Sequence, residues 1–370
     1  MESDSQVLKP RSVVHVLPFD LARGAQRYAR ALVDRLDSPN ERHLILTLFA
    51  AEPVLLEADV ELNVPQGPLR RLGVDPRVVL RLRRELRELR PVVVVAHGGE
   101  PAKYAALAAP RRLPIVYLSI GSAHPGLRRP WSKALHRSYI RRADVVVAVS
   151  SDVAEEARGL HEVPTDRLVV IPNGRDADVF RPGDSRREGP VRLIFVGHMD
   201  PGKRPDRFVE MVAALRQRGV EVEARMVGEG PLADEIRPLA EAAGVALLGR
   251  RDDVAELMAD SDLLVLTSRP PEGMPGVLIE GGLSGLASVS TRIPGSGDVI
   301  DDGVTGVLVD VDDFPAMVDA VQLLATDQGM RLEMGRRARE YCLERFTLEA
   351  TTDRWRQVLR GLTSSNTWGN

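Results

Sequence analysis

Two glutamates, a lysine and a glycine-led helix start are the residues of this chain best suited to chemistry. The stretch Glu272-Gly273-Met274-Pro275-Gly276-Val277-Leu278-Ile279-Glu280 follows a strand pattern ending near Thr267 and runs into a helical one. Proline near a helix start leaves the first-turn amides without intrahelical acceptors, so the backbone N–H groups of Gly276, Val277 and Leu278 are expected to form an anion site suited to phosphate. Glu280, about one turn inside the helix, could accept both hydroxyls of a ribose, and Glu272 on the preceding loop could meet a sugar. One carboxylate would then read each end of a nucleotide sugar. Spacing alone is also satisfied by a plain loop charge at 272 and by an acid favoured near a helix N-terminus at 280.

The second constellation is Phe195-Val196-Gly197-His198-Met199-Asp200-Pro201-Gly202-Lys203-Arg204, again between a strand and a helix. Gly197, Gly202 and Lys203 fit a P-loop's G-x-x-x-x-G-K, but Arg204 stands where the magnesium-binding Ser or Thr is required, which demotes an ATPase or GTPase reading. Lysine is scarce here, supplying four of the 50 basic residues, so Lys203 at a loop–helix junction stands out. An ammonium there can neutralise a departing diphosphate, the electrostatic task a glycosyl transfer most needs.

In the first half, Gly24 follows the first strand and enters an amphipathic helix, where it would let the chain pass close to donor phosphates; a plain turn or cap meets the same pattern. His97 comes just after the strand Val92–Ala96 and is expected at a cleft edge, in a positioning or acid/base role. His15 and His43 fall within strands and read as core or surface histidines. The acidic pairs Asp252-Asp253, Asp301-Asp302 and Asp312-Asp313 are better explained by capping than by metal binding, so no tightly bound metal is expected. Residues 70–90 hold eight arginines against three acids around an apolar stripe of Val78, Leu82 and Leu89. Such a helix can lie on anionic lipid or present an ordinary solvated face.

These residues need a scaffold. A chain of 370 residues exceeds what one core usually organises, so two domains are expected. A net charge of −3 argues against nucleic-acid binding through a bulk positive field. The single cysteine, Cys342, rules out an internal disulfide framework, and no run of about twenty apolar residues could span a bilayer. A cytoplasmic protein fits best, with Met1–Lys9 as a polar lead-in.

Short Val, Ile and Leu runs alternate with helical patterns throughout, the signature of α/β domains with doubly wound parallel sheets. The first-half strands are Ser12–Leu17, His43–Leu48, Val92–Ala96, Pro114–Leu118, Asp144–Val149 and Arg167–Ile171. The second-half strands are Val191–Val196, Val222–Val227, Val245–Leu248, Asp262–Leu266, Ala287–Ser290 and Gly306–Val309. Turn formers between Ile171 and Glu188 set a boundary near residue 182, giving domains 1–181 and 182–345. Residues 346–370 are expected to be a helix returning to the first domain. Ligands of such sheets sit beyond the strand C-termini, which is where all the motifs fall.

Taken together the motifs resemble the retaining glycosyltransferases of family 4, with the GT-B fold of two facing Rossmann-like domains. The likeness is strongest where IPNGRDADVF, FVGHMDPGKRPDRF, MVGEGPL, LLGRRDDVAELMADSDLLVLTS, PEGMPGVLIEGGLSG and GVTGVLV occur in the family's order, and RGAQRYARAL resembles its first glycine loop. The resemblance implies an N-terminal acceptor domain and a C-terminal donor domain holding a UDP- or GDP-linked sugar without a metal. It implies Gly24 in the donor-phosphate loop, Gly197 in the loop carrying His198, Lys203 as the leaving-group lysine, and Glu272 and Glu280 as sugar and ribose contacts. Gly276, Val277 and Leu278 would supply the phosphate-binding amides, and backbone near Gly249, Arg250 and Arg251 the base pocket. Three departures stand out. His198 replaces a common Arg, so phosphate neutralisation is expected to be weaker, pH-dependent or supplemented by another cation, with Lys203 carrying more of the burden; Ile120 replaces a pocket histidine, for which His97 and His124 are substitutes; and Gly281-Gly282 replaces Ala-Met. The implied reaction retains anomeric configuration, the departing phosphate taking the acceptor's proton. An epimerase of the same fold and a nucleotide-sugar-binding protein without turnover are the alternatives.

Overall fold

The structure is a computed structural model that describes residues 10–19, 24–50, 57–67, 70, 73–121, 130–183 and 189–364. Met1–Lys9, His124 and most of the loop Gly121–Arg129 lie outside the described residues.

The first sheet has the order β3-β2-β1-β4-β5-β6-β7 and is parallel throughout. Its strands are β1 Arg11–Leu17, β2 Glu41–Phe49, β3 Val60–Val64, β4 Val93–His97, β5 Ile115–Ser119, β6 Val145–Ala148 and β7 Leu168–Val170. The second sheet, β10-β9-β8-β11-β12-β13, is also parallel, with β8 Val191–Val196, β9 Val222–Val227, β10 Val245–Leu247, β11 Leu263–Leu266, β12 Ala287–Thr291 and β13 Gly306–Val309. Apolar runs such as Val93–Ala96 and Leu263–Leu266 are buried along their whole length because helices cover both faces of a parallel sheet. Both sheets therefore have the doubly wound order expected from the sequence.

One strand went unpredicted. β3, with sequence VELNV, buries Leu62 and Val64 while exposing Glu61 and Asn63, and among the described residues it pairs only with β2, across a register shift between Thr47 and Phe49. A short, half-polar edge strand carries little of the apolar signal that marks a central one.

Contacts group the chain into two compact units. Unit 1 comprises residues 1–149, 153–172 and 351–370, and unit 2 comprises 150–152 and 173–350. The sequence reading set its boundary near 182; the structural grouping changes at Pro172–Asn173. Within unit 1 the closing helix Leu348–Ser364 supplies Trp355, fully buried, whose Nε1 donates to Tyr28 Oη at 3.1 Å. Arg356 donates to the Arg35 carbonyl at 2.8 Å and Arg354 to that of Val170 at 2.7 Å. Burying an indole of that size contributes about 3 kcal/mol.

The arginine-rich segment forms the helix Pro76–Leu89, capped by Asp75, whose carboxylate accepts from Arg77 N–H at 2.9 Å, and ended by Arg90 at φ 46°. Its buried stripe is Val78, Leu82 and Leu86, with Leu86 in the place expected for Leu89, and it faces the core of unit 1. Arg81 donates to the Leu62 carbonyl at 2.7 Å, Arg83 to that of Leu107 at 2.8 Å, and Arg84 pairs with Glu88 at 2.8 Å. Among the described residues no helix is long and apolar enough to cross a membrane.

Candidate functional site

In unit 2, β8 is flanked by β9 on one side and β11 on the other, so the strand order reverses there and a crevice opens beyond the strand C-termini. The opposite ends of these strands are clamped. Arg192 is 6% exposed and makes a two-pronged pair with Asp262 at 2.9 Å on each prong, with a third bond to Asp260 at 2.7 Å. Burial works to raise the Asp262 pKa, but the Arg192 hydrogen bonds outweigh it and hold the carboxyl below its ordinary value.

Gly197 leaves β8, and its N–H donates to the Val227 carbonyl at 3.0 Å. Two glycines of MVGEGPL are required by the close approach that follows. At Gly228 (φ 141°) a Cβ would collide with the Gly197 carbonyl, and at Gly230 (φ 157°) with the Met199 backbone. Asp200 then turns the loop, its Oδ1 accepting from the N–H groups of Gly202 at 2.8 Å and Lys203 at 3.0 Å. The Thr267 hydroxyl beyond β11 donates to the carbonyls of Lys203 and Arg204, and Arg269 N–H to that of Gly202, so Lys203 stands on a loop held from two sides. Its ammonium contacts the Glu272 carboxylate. These two residues are 69 apart in sequence.

The helix Gly276–Leu283 starts after Pro275, which is the N-cap residue, not the first helical one. One expectation is corrected here: the Leu278 amide donates to the Pro275 carbonyl at 3.0 Å, closing a tight first turn, so Gly276 and Val277 are left as the amides for an anion. Glu280 is 18% exposed and is bound by Arg175, Nε to Oε1 at 2.6 Å. The Arg175 guanidinium packs so close to Gly276 that a Cβ there would collide with it. Its backbone is clamped as well: Arg175 N–H donates to the Phe346 carbonyl at 2.9 Å, and Leu348 N–H donates to the Arg175 carbonyl at 2.8 Å. Arg175 was missed by the sequence reading, although it lies inside IPNGRDADVF; its target is 105 residues away, and one arginine among many gave no signal.

His198 is exposed. Arg250 lies 3.9 Å from Glu229, and Arg251 is tied to Asp253 at 2.7 Å. The Gly249 carbonyl accepts from Gly228 N–H at 2.8 Å. The Gly281-Gly282 pair has a packing reason, since a Cβ on Gly282 would lie 2.5 Å from the sulfur of Cys342, which burial pushes up to a pKa of about 12. Among the described residues no group of three His, Cys, Asp or Glu side chains is arranged to hold a metal.

Unit 1 carries a separate feature. A cavity of about 350 Å³ is lined by His97, Glu100, Tyr117, Ser119, His136 and His161, with Ile120 at its wall. His97 is corrected from a loop residue to the last residue of β4, and it is 4% exposed. Burial lowers its pKa to about 4. His161 is also brought to about 4, by burial first and then by His136, whose ring centroid is 4.6 Å away. Gly24 opens the helix Gly24–Leu36, and Leu21–Arg23 lie outside the described residues.

Two Rossmann-like units with parallel sheets of this order are the GT-B architecture. Two family models match in sequence: Glycosyltransferase Family 4 over residues 22–179 and Glycosyl transferases group 1 over residues 190–327. The chain belongs to the family 4, group 1 glycosyltransferases. It is 31% identical to N-acetyl-alpha-D-glucosaminyl L-malate synthase of Bacillus anthracis, over 60% of this chain and 61% of that one. It is 27% identical to a GDP-mannose-dependent alpha-(1-6)-phosphatidylinositol monomannoside mannosyltransferase of Mycobacterium tuberculosis, over 77% and 80%. Its fold is that of Anabaena Alr3699/HepE, solved in complex with UDP, at a TM-score of 0.80 and 18% identity, covering 95% of this chain and 100% of that one. The matched region spans about three-fifths of the Bacillus relative.

Proposed function

We propose that this protein is a retaining, metal-independent glycosyltransferase that moves a sugar from a UDP- or GDP-linked donor to an acceptor hydroxyl. The observation that carries the reading is the pairing of cations with carboxylates around the start of the helix Gly276–Leu283: Lys203 with Glu272, and Arg175 with Glu280. A guanidinium packed against a helix N-terminus opposes the helix dipole, an arrangement that favours an anion between them.

Lys203, Arg175 and the amides of Gly276 and Val277 would share the diphosphate, which grows more negative as the glycosidic bond breaks. Arg175 would supply the cation that His198 does not. When phosphate replaces Glu272 as the partner of Lys203, that carboxylate becomes available to orient the sugar hydroxyls. Glu280 meets the ribose, and backbone near Gly249, Arg250 and Arg251 the base. The departing phosphate takes the acceptor proton, and the new bond forms on the face the phosphate leaves. The GDP-mannose-dependent relative supports a donor of this class, and the HepE complexes with UDP and with UDP-glucose support a uridine nucleotide as the first to test.

Thermal-shift measurements against UDP, GDP, ADP and dTDP and their sugar conjugates, with and without magnesium, test the reading. A selective, metal-independent rise is expected for one nucleotide, about 2.7 kcal/mol of stabilisation at a hundredfold excess over Kd. It should shrink in Arg175→Ala and Glu280→Gln. A folded sample with no shift for any of them would refute the donor site.

A further inference from the structure

The end of the unit 1 sheet where its strands begin, away from the His97 cavity, carries a recess of about 590 Å³. Four arginines rim it from separate stretches of chain: Arg11, the first residue of β1; Arg87, in the last turn of the helix Pro76–Leu89; Arg90, leading into β4; and Arg112, leading into β5. Leu86, Val92 and Leu113 form its floor, and Thr363 closes one side from the helix Leu348–Ser364. Among the described residues no carboxylate lines it.

These arginines are unlike their neighbours. The helix Pro76–Leu89 holds five, and four are bound: Arg77 to Asp75, Arg84 to Glu88, and Arg81 and Arg83 to the carbonyls of Leu62 and Leu107. Arg87, which lines the recess, is not, and among the described residues neither are the guanidiniums of Arg11, Arg90 and Arg112. Arg90 also holds a left-handed backbone, φ 46° and ψ 54°, at a helix C-cap where glycine is the usual residue. Helix C-termini gather at this edge of any parallel α/β unit and favour cations there. Unit 2 meets the same field with its arginines bound: Arg192 to Asp262 and Asp260, Arg216 to the carbonyls of Val222 and Gly244, and Arg218 to Asp319. Beside the recess a second hollow holds Arg111, Arg141, Arg142 and Arg167, but there Arg141 lies 3.5 Å from Glu162 and Arg142 3.7 Å from Asp144. Local acids offset the charge of that hollow and leave the first one positive.

A guanidinium offers phosphate oxygens a planar fork of donors, and four of them without counter-charge suit a ligand that packs several negative charges into a small volume. The surroundings favour a soluble ligand over a lipid surface. The recess is concave, Leu86 is 3% exposed, and no lining residue is among the large apolar side chains left exposed, so nothing there would enter a bilayer. We propose that the recess formed by Arg11, Arg87, Arg90 and Arg112 binds a soluble small molecule carrying two or more phosphate groups. The site shares no residue with the His97 cavity or with the donor residues of unit 2. Its ligand touches the first strand and, at Thr363, the closing helix, so occupancy stabilises unit 1. The site stands whether or not the chain transfers sugars.

The test is calorimetric titration of the full chain with inorganic tripolyphosphate, in the absence of magnesium, for the wild type and for Lys203→Ala, which weakens the anion site proposed in unit 2. Binding is expected in both, with a rise in melting temperature. Arg112→Gln and Arg90→Gly should each weaken it about tenfold, the loss of one charge-assisted contact. Arg84→Gln removes the same charge from the same helix outside the recess and should change the affinity by less than about twofold. Glycine suits the left-handed backbone at position 90, so Arg90→Gly should melt no lower than the wild type and its loss of binding cannot be ascribed to unfolding. Wild-type affinity in Arg90→Gly or Arg112→Gln, equal weakening in Arg84→Gln, or binding lost in Lys203→Ala overturns the site. So does a wild type that binds phosphatidylglycerol vesicles but not tripolyphosphate, or one that binds neither.

Discussion

At the β1/β4 crossing unit 1 buries two bonded imidazoles, His15 and His97, whereas at the equivalent β8/β11 crossing unit 2 buries the Arg192–Asp262 ion pair and presents Lys203, Arg175 and glycine-led amides beyond it. One strand order thus supports two electrostatic designs. A crossing built from neutral rings buries no charge, because burial disfavours the imidazolium form. A crossing built from fixed charges can hold an anion but cannot change its own protonation near neutrality. Five of the described histidines lie in unit 1 and only His198 lies in unit 2. The same topology therefore specifies where a ligand sits and leaves its chemistry to side chains.

The sharpest way to break this comparison is Lys203→Ala. If unit 2 works through fixed charge, donor turnover should fall about 10²–10³-fold, or roughly 2.7–4 kcal/mol of transition-state stabilisation. The melting temperature should stay near wild type, because Lys203 is partly exposed and its partner Glu272 can hydrate. Turnover near wild type would remove the basis for the assignment.

Next in size is the clamp behind the site. Asp262→Ala leaves Arg192 buried without its two-pronged partner and should cost unit 2 about 3 kcal/mol, measured by urea unfolding. The Arg192→Met variant, which removes the charge along with the bond, should cost less. Equal losses would mean that the pair acts by packing alone.

Acid should separate the units. His97 and His161 have folded pKa values of about 4, against about 6.5 when unfolded, so the unfolded state binds more protons between those values. Unit 1 should therefore lose stability as pH falls from about 6.5 toward 4, by up to about 1.4 kcal/mol per pH unit for each such histidine, and level off below. The Asp262 carboxyl is held low, so its contribution disappears only below the unfolded value of about 3.9. Trp355 is fully buried in unit 1, so its fluorescence in urea at stepped pH, in a chain with Trp131 and Trp368 replaced by Phe, follows that unit. A fluorescence midpoint that does not move between pH 7 and 5 would contradict the neutral-ring picture.

Much of this was legible in the sequence, and the omissions have definite causes. Twelve of the thirteen strands were read from their apolar runs; β3 escaped because Glu61 and Asn63 interrupt it. Lys203, Glu272, Gly276 and Glu280 were visible because loop–helix junctions mark them locally. Arg175 and the hydrogen bonds of His15 to His97 and His43, 2.9 Å each, were invisible because each depends on register and long-range contact: nothing in a linear reading says that residues 15, 43 and 97 share a face. His97 itself was placed one element too late, since a histidine ends the valine run as readily as it follows it.

Smaller effects refine the contrast. Gly282→Ala should destabilise unit 2 by about 1–2 kcal/mol through overpacking against Cys342, and Cys342→Ala in the same chain should recover part of that loss. Without such recovery, the contact with the sulfur is not what demands glycine. At the bottom of the scale, the helix Pro76–Leu89 buries its apolar stripe in unit 1 and binds two arginines to carbonyls. Co-sedimentation with vesicles should therefore show little dependence on anionic lipid; strong dependence would give this helix a second role.

The chain leaves unit 1 at Pro172 and returns to it at Thr351, so unit 2 is very nearly an insertion within unit 1. During synthesis the first sheet emerges first, yet it must wait for the last helix, with Trp355, to fill its core and reach Tyr28. Unit 2 is complete as soon as residue 350 has left the ribosome. The half of the molecule that is translated second is thus the half able to finish folding first, and a truncation before Trp355 should injure the N-terminal sheet and spare unit 2.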